Sequence, residues 1–348
     1  MGRFTTEFLA DFFVNIHKIE KDNWDRLRFT EDHPRKKSFM IGEAVSWMEA
    51  IIKNINAYEE AYNLFEDEHS KKLMIKLLEY DVLDHHHVKL PLNTPEYWQV
   101  YNTIDEKFLV EKDVFQHGPR SLNLYKDRAT GIQFYGTPLG FLTMFVQKQY
   151  YLLRPPHIQP APGDVCIDGG SCRGEVALHF AHSVGNTGEV HAFEFVPQNL
   201  DFFQKSLALN PELAATIKIC PRALWSESNI EMSFEDSGPS SRVSTGQNAG
   251  GALKATTIAI DDYVQHEGLT KVDFIKMDIE GAEIPALRGA EQTIKTHKPK
   301  LAICVYHKKD DFYTIPGLIN QIQPGYKFYL DHYTIHREET VLYAYHAG

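Results

Sequence analysis

Positive charge is in short supply in this chain. Its 348 residues carry 36 Lys and Arg against 47 Asp and Glu, for a formal net charge of −11. Nucleic acid held through its phosphates needs a concentrated basic surface, so the balance argues against that class of partner. The one dense basic stretch, HPRKK at 33–37, is short and reads as a solvated turn. Cysteine is scarce as well. Four (Cys166, Cys172, Cys220 and Cys304) fit reduced thiols in a cytoplasmic protein better than a disulfide framework. Cys172 lies in a glycine-rich turn, where a small side chain is needed. No apolar run reaches 18 residues, so no membrane span is expected. The opening MGRFTTEFLADFFVNIHKIEKD is interrupted by Glu7 and Asp11 and lacks a signal-peptide layout.

What is present is ordinary for a globular protein, with 43% apolar and 24% charged residues. The length predicts more than one unit. Residues 1–92 read as a helical region, serving oligomerisation (a homodimer) or capping an acceptor. Within it, KSFMIGEAVSWMEAIIKNINAYEE at 37–60 places Ile41, Val45, Met48, Ile52 and Ile55 on one helical stripe. Asp67 to Tyr80 repeats the pattern with Leu73, Met74, Leu77 and Leu78. The adjacent histidines of DHHHV at 84–88 point in different directions and do not favour one shared ion. Residues 93–160 are mixed, a connecting or lid region. SLNLYKDRATGIQFYG predicts two strands around a turn at Asp127–Gly131, and TPLGFLTMFVQKQYYLL predicts an aromatic helix. The proline-rich RPPHIQPAPGD then marks a boundary.

From 161 to 348 the rhythm changes. Short apolar runs (DVCID, EVHAFEF, IKICPRAL, VDFIKMDI, KLAICVYH) alternate with helical stretches. That alternation predicts a mostly parallel sheet covered by helices on both faces. YKFYLDHYTI and ETVLYAYH, separated by a short gap, predict an antiparallel hairpin at its edge. The serine- and glycine-rich stretch 233–257 reads as a surface loop, with a lid over the ligand as the alternative.

In such sheets ligands gather beyond the carboxyl ends of the strands. Three acids fall at those ends: Asp168, Glu194 and Asp278. Glu194 suits a pair of ribose hydroxyls, a feature common to nicotinamide and S-adenosylmethionine sites. The turn in DVCIDGGSCRGEVALHFA departs from the G-x-G-x-x-G of a dinucleotide site, because it opens on a carboxylate. Asp168 would repel a pyrophosphate and attract a ligand with an ammonium and a sulfonium. S-adenosylmethionine is therefore the expected cofactor. An NAD(P)-dependent oxidoreductase on a related sheet stays open as the alternative, as does a non-catalytic methyltransferase-like scaffold.

From about Gly136 onward the sequence resembles the FkbM family of S-adenosylmethionine-dependent methyltransferases. The resemblance is carried by PAPGDVCIDGGSCRGEVALHFA, GEVHAFEFVPQNL, VDFIKMDIEGAEIPALRGA, PKLAICVYHKKDDFYTIPGLI and YKFYLDHYTIHREETVLYA. It implies an α/β, Rossmann-like class I methyltransferase fold with a seven-stranded sheet. It further implies methyl transfer, most often to a hydroxyl of a sugar, glycan or other small metabolite. The helical N-terminal region lies outside it.

By position, Asp168, Gly169, Gly170, Ser171 and Gly174 would surround the methionine part of the donor. Glu194 would hold the ribose, Phe195 would pack beside the adenine, Ala223 and Leu224 would contact the donor, and Leu224 or Trp225 would supply an apolar wall. A neutral hydroxyl is a weak nucleophile and needs a base. His307, whose type titrates nearest neutrality, is the first candidate. Asp278 is the second, or else it receives the donor's ammonium. Lys276 would stabilise a developing alkoxide or pair with Asp278 or Glu280. Glu280, His332 and His336 would line the acceptor pocket. A divalent ion on Asp278, Glu280, Asp310 or Asp311 is open but not expected.

Overall fold

The apolar runs after Gly163 pair edge to edge into one seven-stranded mixed sheet. The computed structural model describes residues 2–20, 23, 37–117, 120–234, 243–244 and 253–347. Most of the basic stretch at 33–37 and most of the serine-rich stretch at 233–257 lie outside the described residues. In chain order the strands are β1 (Leu109–His117), β2 (Arg120–Lys126), β3 (Gln133–Gly136), β4 (Val165–Gly169), β5 (Glu189–Phe193), β6 (Ile217–Cys220), β7 (Ala223–Leu224), β8 (Glu231–Phe234), β9 (Val243–Ser244), β10 (Leu253–Ile258), β11 (Phe274–Met277), β12 (Lys300–Cys304), β13 (Tyr326–His332) and β14 (Thr340–His346). The large sheet runs β13-β14-β12-β11-β4-β5-β6, with smaller sheets β1-β2-β3 and β7-β10-β8-β9. β4 pairs in parallel with β5 on one side and β11 on the other, and β6 and β12 extend the parallel run outward. All residues of β11 are buried. A strand covered on both faces has no solvent side, which is why its sequence does not alternate.

The chain divides into two compact units. One comprises Met1–Trp98, Val305–Gly317 and Lys327–Leu342; the other comprises Gln99–Cys304, Leu318–Tyr326 and Tyr343–Gly348.

The first unit holds four helices: α1 (Arg3–Asn15), α2 (Lys37–Lys53), α3 (Ile55–Leu64) and α4 (Glu68–Leu83). Asp67 caps α4, its side chain accepting the Ser70 N–H at 2.8 Å. The expected Leu73, Met74, Leu77 and Leu78 are all buried. Phe4 and Phe8 stack in the same core beside Tyr58 and Tyr62. Each phenylalanine so removed from water contributes about 1.5–3 kcal/mol. The helices also bond to the late segments of their unit. Tyr58 donates to the Lys309 carbonyl at 2.7 Å, and the Leu330 N–H donates to Ser70 Oγ at 2.8 Å.

The stripe expected across 37–60 needs correcting. Val45 and Ile52 are 50% and 64% exposed, while Trp47 and Ile51 are buried. The helix breaks at Asn54, and α3 buries Tyr58, Ala61 and Tyr62. An aliphatic count missed that the largest side chains, Trp47 and two tyrosines, set the inward face. The side chain of Ile41 lies outside the described residues.

In the second unit, β2 and β3 form the expected hairpin, and Asp127 closes its turn through the Thr130 N–H and hydroxyl at 2.9 and 2.7 Å. The aromatic helix predicted after it is much shorter than expected. A four-residue α segment (Pro138–Phe141) widens into a π-turn (Leu142–Val146) and stops. Two local forces account for this. The Thr143 hydroxyl bonds back to the carbonyls of Leu139 and Gly140 at 3.2 Å each, loosening the ladder. Phe145 is meanwhile held by stacking on Phe134 and Phe141, with centroids 4.8 and 5.2 Å away. Beyond the π-turn, Lys148 and Tyr150 adopt φ of 54° and 71°, which no helix accommodates.

His179, on α5 (Glu175–Val184), packs against Phe145 and Tyr151. Burial first, then the charges of Lys148 and His182, push its imidazole down to about 4. Because the folded value lies below the unfolded one, stability is complete above about pH 6.5 and declines as pH falls toward 4. Urea midpoints measured across this window should fall toward acid pH, and His179→Gln should flatten that slope.

Candidate functional site

Strand register brings a cation and an anion together at the centre of the sheet. Lys276 on β11 lies opposite Asp168 on β4. Their side chains, 1% and 0% exposed, meet as an ion pair at 3.0 Å. The Lys276 ammonium also donates to the carbonyls of Gly169 and Gly170 at 2.9 and 2.8 Å. Burial pulls the ammonium down, but the carboxylates of Asp168 and Asp278 outweigh it and hold the group above the usual lysine value.

The glycine turn is tied down from the other side too. Gly170 and Ser171 both donate their N–H to the Phe193 carbonyl at 3.0 Å, and Gly174 donates to the Ser171 carbonyl at 2.8 Å. The Ser171 hydroxyl turns inward to the Asp168 carbonyl at 2.9 Å. Gly170 has φ of 77°, and a Cβ there would come within 1.9 Å of the Asp278 carbonyl. Gly174, at φ 88°, would drive a Cβ to 2.0 Å from the Phe203 ring. Only glycine serves at these two positions. Cys172 adopts φ of 47°, and burial pushes its thiol up to about 12, so it is no nucleophile at neutral pH.

A cleft opens beyond the carboxyl ends of β4, β5 and β11. Of the residues expected at the site, Gly170, Glu194, Phe195, Ala223, Leu224, Asp278 and Glu280 line it. Asp168, Gly169, Ser171, Gly174 and Lys276 do not line it; they build its floor and shape the turn. Glu194 follows β5 and precedes the helix α6 (Pro197–Ala208). Its carboxylate accepts the N–H groups of Phe195 and Val196 at 2.7 and 2.8 Å and the Asn199 amide at 3.1 Å. Burial raises its pKa, and those donors oppose the rise. Phe195 packs edge-on against Phe234 at 4.9 Å. β7 carries Ala223 and Leu224 to the cleft wall through its pairing with β10. Asp278, just past β11, accepts the Tyr150 hydroxyl at 2.7 Å.

The remaining candidates belong to the first unit. His307, Asp310 and Asp311 fall in Val305–Gly317, and His332 and His336 fall in Lys327–Leu342. His332 is 5% exposed, shares a hydrogen bond with Thr340 at 2.9 Å, and is pushed down to about 4 chiefly by burial. His336 is 8% exposed. In the same unit Asp84, His85 and His86 bring ligand-type atoms within 4.8 Å of one another, a grouping the opposed directions of adjacent side chains did not suggest. His87 instead turns away to the Lys18 carbonyl at 2.7 Å.

Two contributors to the site were missed in the sequence. Asn199 steadies Glu194 and lines the cleft; its place in the first turn after a strand-end acid was the available signal. Tyr150 carried no signal, because its position depends on the π-turn before it.

A parallel core with its last strand inserted beside the edge, and a cleft walled by strand-end carboxylates, defines the Rossmann-like fold of class I methyltransferases. Comparison with known proteins narrows this. Residues 168–328 match the methyltransferase FkbM domain. Among solved structures it is similar to methyltransferase FkbM from Methylobacillus flagellatus KT, at 22% identity and a TM-score of 0.54, over 86% of this chain and 60% of that one. The chain thus spans less than two thirds of that relative's length, and the likeness is one of fold. More distant is an O-methyltransferase from Bacillus cereus in complex with SAH, at 14% identity and a TM-score of 0.36, over 60% of this chain and 79% of that one. No curated protein matches the chain. No helix among the described residues is long and apolar enough to cross a membrane.

Lys276→Met would leave Asp168 buried without its counter-charge, a loss of about 3–5 kcal/mol. Denaturant unfolding should register that loss, and adding Asp168→Asn to the variant should restore part of it.

Proposed function

We propose that the protein is an S-adenosylmethionine-dependent O-methyltransferase acting on a hydroxyl of a sugar, glycan or other small metabolite. One observation carries the choice of cosubstrate. A diphosphate is held at such a turn by free backbone N–H groups. Here Gly170, Ser171 and Gly174 have already given theirs to carbonyls of the protein. The cleft offers carboxylates instead, Glu194, Asp278 and Glu280, against one arginine, Arg222. A phosphate-free nucleoside with an ammonium and a sulfonium suits that lining.

In this reading Glu194 accepts the ribose hydroxyls, and Phe195, Ala223 and Leu224 flank the adenine. Asp278 receives the donor's ammonium. Lys276, sealed beneath the turn, shapes the loop rather than stabilising an alkoxide. Methyl transfer is an in-line displacement in which the acceptor oxygen, the carbon and the sulfur align. Alignment supplies much of the rate, and a base removes the hydroxyl proton as the bond forms. His307 is that base in this proposal. Glu280, His332 and His336 are assigned to the acceptor side, and the helical region to capping the acceptor or to forming a homodimer.

Calorimetry with S-adenosylhomocysteine and with NADH separates the two cosubstrate readings. Binding of the first alone is expected, and binding of NADH alone would overturn the assignment. Methyl-donor turnover against a panel of sugars and glycans, with and without a chelator, tests the acceptor class. On an acceptor so found, His307→Ala should slow transfer about a hundredfold or more while leaving donor affinity within about twofold.

A further inference from the structure

Tyr150 lies outside the segment that matches the family, yet its side chain reaches the floor of the cleft. It is 2% exposed and does not line the cleft itself. Its hydroxyl donates to Asp278 Oδ2 at 2.7 Å, while its ring lies 5.0 Å from the Lys276 ammonium. One side chain therefore touches both the carboxylate in the cleft and the cation beneath the turn. The backbone that delivers it is fixed on both sides. The π-turn ends at Val146, Tyr150 takes φ of 71°, and the next residue, Tyr151, is bonded to α5 through the His179 carbonyl at 3.2 Å and Ser183 at 2.9 Å.

We infer that Tyr150 is a positioning residue for donor binding, its hydroxyl holding the Asp278 carboxylate in the orientation that receives the amino-acid end of the donor. The inference rests on the donor-site reading above. The physical basis is a charge-assisted O–H···O bond, stronger than one between neutral groups and directional. A carboxylate receives an ammonium best when its χ1 and χ2 are already set. The Tyr150 bond to Oδ2 helps set that orientation before the ligand arrives, and pre-organisation of this kind appears as affinity. The ring's contact with Lys276 keeps the phenol itself from rotating away.

The test uses the full chain and two probes that differ only at the amino-acid end. S-adenosylhomocysteine carries the ammonium, and 5′-methylthioadenosine lacks it. In Tyr150→Phe, which keeps the ring, binding of S-adenosylhomocysteine should weaken about tenfold or more while methylthioadenosine binding changes less than about twofold. Asp278→Asn should show the same ligand-selective loss. Adding Tyr150→Phe to Asp278→Asn should cost little more, because the tyrosine acts through the aspartate. Equal weakening of both probes, no weakening of either, or additive losses in the double variant would each overturn the inference while the donor site stands. If the unaltered protein binds neither probe, the donor-site reading itself falls.

Discussion

The buried pair of Lys276 and Asp168 is the interaction on which the cleft depends. Taking two charges out of water costs several kcal/mol for each, and a bare pair in the interior seldom recovers it. Here the ammonium has three further attachments: the carbonyls of Gly169 and Gly170 and the face of Tyr150. Those contacts offset the desolvation, and they also decide the shape of the loop. With two successive carbonyls drawn toward Lys276 and two successive N–H groups given to Phe193, the turn has one path available. The glycines permit that path, and the ion pair selects it.

The same pair redistributes charge. A lone Asp168 at the head of the turn would dominate the local potential. Neutralised by Lys276, it leaves Glu194, Asp278 and Glu280 to set the sign of the cleft. In the proposed function, selection of a cationic ligand falls to these carboxylates rather than to the one in the turn. The backbone reinforces it, since an N–H already bonded within the protein has little left to offer a phosphate.

Much of this was legible in the sequence where the chemistry is local. Strand-end acids could be read because buried parallel strands are short, continuous apolar runs, so the first charged residue after each marks its carboxyl end. Asp168, Glu194 and Asp278 were found that way. The partner of Asp168 was not, because Lys276 meets it only through the register of two strands 108 residues apart in the chain. The inward face of α2 was misread for a related reason. Periodicity identifies apolar positions, but packing volume decides which stripe turns inward, and Trp47 outweighed Val45 and Ile52. Tyr150 lay beyond reach because a threonine hydroxyl and three stacked phenylalanines interrupt what reads as one helix.

The spacing of the two carboxylates that flank the cleft follows from the sheet itself. Glu194 ends β5 and Asp278 ends β11, with β4 between them. Strands sit about 4.8 Å apart, so acids two strands apart are separated by roughly 9–10 Å. In the proposed donor site, a nucleoside with a four-carbon amino-acid tail would bridge such a gap from its ribose hydroxyls to its ammonium. Each anchor is itself immobilised, Glu194 by Asn199 and two backbone N–H groups, Asp278 by Tyr150. In-line transfer tolerates little misalignment at the central atom. Under that proposal, holding both ends of the donor on rigid strands, rather than gripping its middle, would leave the methyl group open to the acceptor.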